Sequence, residues 1–277
     1  MVAPGLARAC RVGRALLLLA AAVLPSEMAR VAASCPPRPS SSSSALQNFA
    51  HRRSACSAAM MEAGAPRWRA IDPALAEAAT RQWIESVVIG QNLCPFASKV
   101  RGEPSRVLVT DLQAGEPTNE LMALVGDELG RLAGSNRRLP ATTFILLRHE
   151  SFADFDAYME VALDAQDLGA ELVGEAVQVV LFHPRAQWGD TDAADAADYS
   201  TRSPLPMLHL LRGSDVQAAE VDWVRIHGSE EAAPDIQATN AALLRGMGAE
   251  AAHAMLEASF QQARAAERAA VVAEDSS

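Results

Sequence analysis

Two continuous apolar runs, separated by a helical pattern, constrain the fold of this chain more than any other feature. The runs cover residues 142–147 and 177–182, and between them apolar residues recur at helical spacing over 152–168. Strands that are apolar on both faces are typical of a parallel sheet covered by helices. With a shorter Val-rich run at 106–110, the order strand–helix–strand–helix–strand predicts an α/β fold.

The predicted organisation is a single α/β domain over residues 66–270. Its sheet is expected to be small and mainly parallel, with about three strands covered by helices. Extra C-terminal helices are predicted from Pro234 and from Ala249 onward. Residues 271–277 are expected to form a disordered tail.

Two segments ahead of this domain are typical of targeting sequences. Residues 1–33 carry arginines before a short apolar run and end in small residues, as a signal peptide does. Residues 34–65 are rich in serine, and no acidic residue precedes Glu62, which is typical of a transit peptide or a disordered linker. In series they favour a bipartite plastid presequence, with the mitochondrion or the secretory pathway as alternatives.

Charge and cysteine content limit the partners of the mature domain. The chain has a net charge of −10, and residues 66–277 alone carry −15, which repels a phosphate backbone and argues against nucleic acid. Cys94 is the only cysteine after residue 65, so no internal disulfide is expected there. No membrane span is predicted in the mature chain. A small molecule is a possible partner, while cofactors and oligomeric state stay open.

Polar residues follow each predicted strand. The pairs are Thr110-Asp111, Arg148-His149 and His183-Pro184. If the strands are parallel, all three pairs emerge at one edge, where open α/β sheets bind ligands. Arg148 and His149 are therefore candidate substrate-binding residues.

Cys94, His183 and His209 are the candidate catalytic residues. Cys94 precedes Pro95 and can cap a short turn, which would lower the pKa of its thiol, although a buried structural cysteine is the simpler alternative. His183 ends a strand and is a candidate base, ligand or structural group, whereas His209 lies in an apolar stretch where a core role is common. Arg202, beside Ser203, suits a carboxylate or phosphate, or else an ion pair with a nearby acid.

An acidic run and several absent motifs narrow the chemistry further. Asp190, Asp192, Asp195 and Asp198 lack the pattern of a calcium loop and are expected to form a solvated loop. No glycine-rich phosphate loop, GxSxG elbow or HExxH helix occurs.

Several strings of the sequence are unusual. They are Asn92-Leu93-Cys94-Pro95-Phe96, Phe182-His183-Pro184, the stretch from Arg202-Ser203-Pro204 to Arg212, and Pro234-Asp235-Ile236 with Asn240. Together they resemble the domain of unknown function 1415 family. The resemblance covers roughly residues 75–256 and implies that Asn92, Cys94, His183, Pro184, Arg202, Ser203 and His209 occupy signature positions. Asn92 and Ser203 thereby join the candidate substrate-binding residues. The chain departs from the family pattern at Thr201, Leu205, Gly213 and Gln187-Trp188.

Three functions are compatible with these residues. The first is a small-molecule enzyme of the acyl-transfer or hydrolysis class, with Cys94 as nucleophile and His183 or His209 as base. The second is a non-enzymatic module that binds a small molecule or a partner. The third is a metal site formed by Cys94 and both histidines, for which the residue types are suitable but the long spacing is not diagnostic.

Overall fold

A computed structural model describes residues 70–94, 97–101, 105–112, 117–136, 139–189, 191–192, 194–227 and 236–274. The two predicted targeting segments lie outside these residues. Within them the chain forms a single α/β domain with six α-helices and four strands, and it is mostly helical. The predicted fold class is thus confirmed at that level.

The first helix begins as its sequence indicates. Helix α1 covers Pro73–Trp83, and the Asp72 carboxylate caps it by accepting the backbone N–H groups of Ala74 and Leu75 at 2.8 and 3.2 Å. The chain continues as a wider π-helical turn over Ile84–Ile89. Asn92 then adopts a left-handed conformation with φ of 54°, which turns the chain toward Cys94.

The sheet is mixed, which corrects the prediction of a mainly parallel sheet with about three strands. Its strands are β1 (Ser105–Val109), β2 (Thr142–Leu146), β3 (Val177–Phe182) and β4 (Met207–Arg212), in the order β1-β2-β4-β3. Strands β1 and β2 are parallel, and β4 lies antiparallel between β2 and β3. The three predicted strands therefore do run in the same direction, but the fourth separates two of them.

Five further helices complete the domain. They are α2 (Pro117–Ala133), α3 (Phe155–Val173), α4 (Gly213–His227), α5 (Ile236–Met247) and α6 (Ala249–Glu274). The sequence did not predict α4, which follows β4 without a loop. A side chain at Gly213 would lie 2.2 Å from the carbonyl oxygen of Glu175, so this direct passage requires glycine. Helix α6 extends past the predicted domain end at residue 270.

Each face of the sheet has its own core. On the first face, α2 and α3 pack against strand residues such as Ile145, Val179 and Leu208. On the second face, α1 and α6 pack against Phe144, Leu146, Met207 and their neighbours. The alternation of side chains along each strand thus decides which of two environments a residue enters.

Candidate functional site

A cavity of about 340 Å³ opens on the second face of the sheet. Strands β2, β4 and β3 form its floor, and α1 with its π-helical turn forms one wall. Helix α4 and the short turn at Ala97–Val100 cover it. Its volume lies within the range of small-molecule sites. This cavity therefore lies over the sheet face, not at the strand-end edge that the sequence favoured.

Strand register arranges the cavity floor in cross-strand rows. Thr142, Leu211 and Gln178 lie opposite one another in the first row. Phe144, His209 and Val180 form the second row, two residues further along. All six line the cavity. The floor is therefore apolar except for a hydroxyl, an imidazole and an amide, which is the composition expected of a site for a largely apolar ligand.

His209 lies at the centre of this floor. Its ring stacks on that of Phe144, its direct cross-strand partner, with centroids 3.9 Å apart and planes within 9°. Its Nε2 lies 2.6 Å from Oγ1 of Thr142, and that hydroxyl lies 2.7 Å from the carbonyl oxygen of Leu210. Because a carbonyl only accepts, the hydroxyl donates to Leu210 and Nε2–H of His209 donates to the hydroxyl. This assigns the Nε2–H tautomer and leaves Nδ1 as an acceptor.

Burial keeps this imidazole uncharged. The apolar surroundings lower the pKa of His209 to about 3, since they disfavour the imidazolium. Within the described residues, Nδ1 takes part in no hydrogen bond. His209 thus presents a neutral acceptor at physiological pH and is too weakly basic to be an efficient general base there.

Cys94 lines the same cavity as His209. The residue is half-buried and, within the described part of the chain, forms no disulfide. Its backbone carbonyl, rather than its thiol, accepts the N–H of Ala97 at 3.1 Å where the next turn begins. That turn has only four residues, so the predicted helix-terminus activation of the thiol has little support.

Charged groups at the cavity are ion-paired. Lys99, the only lysine of the chain, lies 2.6 Å from Asp222 of α4, and this contact joins two parts of the cover. The ammonium group lowers the pKa of the Asp222 carboxyl. Arg212 is buried and lies 2.7 Å from Asp215. Because each of these four groups has a counter-ion, none of them contributes an uncompensated charge to the cavity.

His183 lies on the first face, away from Cys94 and His209. It is fully buried beside the rings of Phe155 and Tyr158. Its Nε2 donates to the carbonyl oxygen of Phe152 at 2.9 Å, and its Nδ1 accepts the N–H of Arg185 at 3.0 Å. Burial lowers the pKa of His183 to about 4. Both ring nitrogens thus form hydrogen bonds with the backbone of neighbouring loops. The space beside the ring is only about 10 Å³.

The surroundings of Tyr158 support a structural role for that region. Its hydroxyl donates to the carbonyl of Met207 at 2.8 Å and accepts the N–H of Phe182 at 3.0 Å. Burial raises the pKa of Tyr158, so this hydroxyl stays protonated. It ties the end of β3 to the start of β4.

Arg202 and Ser203 bind groups of the protein itself. The guanidinium donates to the carbonyl of Ala186 at 3.0 Å, lies 3.4 Å from the Asp198 carboxylate and stacks over Tyr199. Asp198 is fully buried and also accepts from Thr191 and Trp188, so the expected solvated acidic loop is wrong at this position. Ser203 is fully buried and donates to the carbonyl of Leu205.

The remaining candidates are distributed over other parts of the structure. Arg148 and His149 are buried at the carboxyl end of β2, where the predicted edge lies. Nδ1 of His149 accepts the N–H of Ser151 at 3.2 Å and so caps a short turn. Asn92 is exposed at the turn before Cys94. Cys94 and His209 are therefore the only two predicted catalytic residues that share a cavity.

The third functional alternative, a metal site from Cys94, His183 and His209, requires these side chains to meet. His183 is on the opposite face of the sheet from the other two, so the three do not converge. Among the described residues, no group of three His, Cys, Asp or Glu side chains is arranged to hold a metal ion. Within the same residues, no helix has the length and apolar character needed to cross a bilayer.

The comparison with protein families matches residues 75–254 to the family described as "Protein of unknown function (DUF1415)". The chain belongs to this family. The matched region begins in α1 and ends in α6, so it includes the first core, most of the second and every wall of the cavity. Neither a curated protein nor a solved structure matches the chain.

Sequence reasoning missed several residues of the cavity. Trp83, Phe144 and Gln178 all line it, but in the sequence each belongs to an ordinary helix or strand pattern. Alternation along β3 could have placed Gln178 on one face with Val180 and Phe182. Its proximity to His209 required the register of β4, which the sequence alone did not give.

Proposed function

We propose that this member of the DUF1415 family binds a small, predominantly apolar molecule in the cavity between the sheet and α4. The observation that supports it best is His209, a neutral imidazole with a fixed tautomer at the floor of an otherwise apolar space of about 340 Å³. A ligand there would bury apolar area and give a hydrogen bond to Nδ1, which is how such sites combine affinity and orientation.

The construction of the cavity supports the proposal. Protein interiors are close-packed, and a ligand that enters a space of this volume gains dispersion contacts with several walls. Its lining includes residues of three strands, two helices and two short turns, so the space does not result from one small residue. A ligand that fills it would stabilise the fold by mass action.

A pair of variants on α4 tests the proposal. Ala219 is buried and lines the cavity, whereas Gln217 on the same helix is exposed and does not. The full chain would be melted with the neutral bicyclic alcohols 2-naphthol and decahydro-2-naphthol. At ten times its dissociation constant, a ligand adds about 1.4 kcal/mol, which raises Tm by about 3–6 °C.

We expect Ala219→Phe to abolish this rise and Gln217→Phe to retain it. The two substitutions introduce the same ring on the same helix, so general effects of an added aromatic side chain are matched. If neither alcohol raises Tm in the unmodified chain, or if both variants respond alike, the proposal is wrong.

A second candidate function, favoured by the presence of Cys94 in the same cavity, is acyl transfer or hydrolysis. The thiolate sulfur would attack an acyl carbonyl, the leaving group would depart with a proton, and water would cleave the resulting thioester. His209 would then position the acyl group through Nδ1 rather than serve as an efficient base, given its low pKa. The electrostatic surroundings that lower the pKa of catalytic cysteines are the feature to test.

Alkylation of the full chain with iodoacetamide between pH 6 and 9 would separate the two functions. A nucleophilic Cys94 should react well below the ordinary thiol pKa of about 8.5, and 2-naphthol should protect it. An ordinary profile at Cys94, with binding of 2-naphthol intact, would leave binding as the function and remove the acyl-transfer candidate. The Cys94→Ser chain is the control that identifies the modified residue.

A further inference from the structure

We infer that the ligand of this cavity is an uncharged, planar aromatic molecule that carries a hydroxyl or ring N–H group. The inference rests on the proposed function, since it specifies the class of molecule that the same cavity takes. Three observations of the lining residues carry it, and they concern charge, ring content and acceptors.

The charge of the lining excludes ionic ligands. Asp215 is paired with Arg212 at 2.7 Å, and Asp222 with Lys99 at 2.6 Å. An ionic ligand would lose its hydration on entry without gaining a counter-ion, and burial of an unpaired charge is strongly unfavourable. The neutral state of His209 has the same physical origin, because these surroundings already reject a proton on the imidazole.

Aromatic rings from one helix and three strands line the cavity. Trp83 of α1 contacts Phe182 of β3 edge to face, with centroids 5.3 Å apart and planes at 74°. Phe144 of β2 stacks on His209 of β4. All four line the cavity. Walls of this kind favour a flat ring, which gains offset-stacked or edge-to-face contacts beyond the area it buries.

The acceptors of the floor call for a donor on the ligand. Nδ1 of His209 takes part in no hydrogen bond with the described residues, and its tautomer makes it an acceptor. Gln178 is the diagonal neighbour of His209 on the same sheet face, and within the described residues its amide is likewise without a hydrogen bond. A hydroxyl lying between these two side chains would donate to Nδ1 and accept from the Gln178 amide, whereas a ring N–H would donate to one of them.

Four probes of similar size and different chemistry test the inference by titration calorimetry with the full chain. They are 2-naphthol, naphthalene, decahydro-2-naphthol and 2-naphthoate. We expect 2-naphthol to bind most tightly, with naphthalene weaker by about five- to tenfold because it lacks the hydrogen bond. The saturated alcohol and the carboxylate should be weaker still.

The outcomes distinguish this inference from the proposed function. Tighter binding of decahydro-2-naphthol than of 2-naphthol, with binding lost in Ala219→Phe, would overturn the aromatic class while the cavity remained a binding site. Tightest binding of 2-naphthoate would overturn the uncharged class. If none of the four binds, the proposed function fails, and the inference fails with it.

His209 provides a direct test of the hydrogen bond. In His209→Phe, which keeps a ring of similar shape, the preference for 2-naphthol over naphthalene should decrease, because Gln178 alone remains to bond the hydroxyl. Should that variant fail to fold, the ¹⁵N resonance of Nδ1 in the unmodified chain gives the answer, because it moves to lower frequency when 2-naphthol donates to it. An unchanged Nδ1 resonance at saturating 2-naphthol would exclude the contact.

Discussion

Two histidines of this domain have the same sign of pKa shift but different surroundings. His183 is enclosed on the first face with both ring nitrogens bonded, and His209 faces a cavity with one nitrogen available. In both, burial disfavours the charged ring. The first histidine therefore has a structural environment, and the second has the environment of a ligand-binding group.

The lowered pKa values predict how stability depends on pH. Between the ordinary value of about 6.5 and the folded values of about 4 and about 3, the unfolded chain binds protons that the native state does not. The free energy of unfolding thus has its full value above pH 6.5 and decreases as the pH falls. Each ring contributes about 1.4 kcal/mol per pH unit in that range.

Urea unfolding between pH 7 and 4 measures this dependence. We expect the free energy of unfolding of His209→Phe to fall less steeply than that of the unmodified chain, by about 1.4 kcal/mol per pH unit. Curves of equal slope for the two proteins would show that His209 does not exclude a proton when folded.

Asn92 gives a second prediction for a single residue. Its φ of 54° is unfavourable for most side chains and natural for glycine. We expect Asn92→Gly to change the unfolding free energy by less than about 0.5 kcal/mol and Asn92→Ala to lower it by about 1 kcal/mol. Binding of 2-naphthol should be unaffected in Asn92→Gly. A loss of binding there would assign Asn92 the substrate contact that the family resemblance suggests.

At the scale of the elements, the connection from β4 to α4 depends on the side chain of Arg212. Its guanidinium is 2 % exposed and donates to Asp215, to the Ser135 hydroxyl, and to the carbonyls of Asn136 and Leu139. Asp215 in turn accepts the N–H of Ala141 at 2.9 Å. Arg212 thus fixes the end of β4, the start of α4 and the loop that leads into β2.

We expect Arg212→Ala to lower the unfolding free energy by about 3–5 kcal/mol, because it leaves Asp215 partly buried without its counter-ion. Arg225→Ala on the same helix is the matched control, since Arg225 is 74 % exposed and its ion pair with Asp222 should contribute less than about 1 kcal/mol. Chemical denaturation of both variants decides the matter. Similar losses in the two would contradict the role of Arg212.

The strands and helices differ in how well the sequence predicts them. Residues 177–182 form β3 at the predicted bounds, and α1 begins at Pro73 because its capping signals are local. The direction of β4 could not be predicted, because an apolar run of six residues fits a helix or a strand and its partners are remote in the chain. The site shows the same limit, since it depends on the register of β4 that Cys94 and His209 line the same cavity.

At the scale of the whole molecule, the two faces of the sheet have different roles. The first face is closed by α2 and α3 over a continuous core, and the second contains the cavity beneath α4. Local opening is therefore expected at α4 and the Ala97–Val100 turn, where the Lys99–Asp222 ion pair is about half exposed and contributes little.

Hydrogen exchange of the full chain with and without 2-naphthol tests this division. Amides of α4 and of residues 97–101 should exchange more slowly when the probe is bound, whereas those of α3 should change little. Uniform protection of both faces would indicate general stabilisation instead of closure over the cavity.

The place of β4 in the sheet has a consequence for synthesis on the ribosome. Strands β2 and β3 leave the exit tunnel before residues 207–212 do, yet only β4 joins them. Until it emerges, each has an unpaired backbone edge of the kind that invites aggregation. Nascent chains that stall before residue 207 should depend on chaperones, and those that pass it should not.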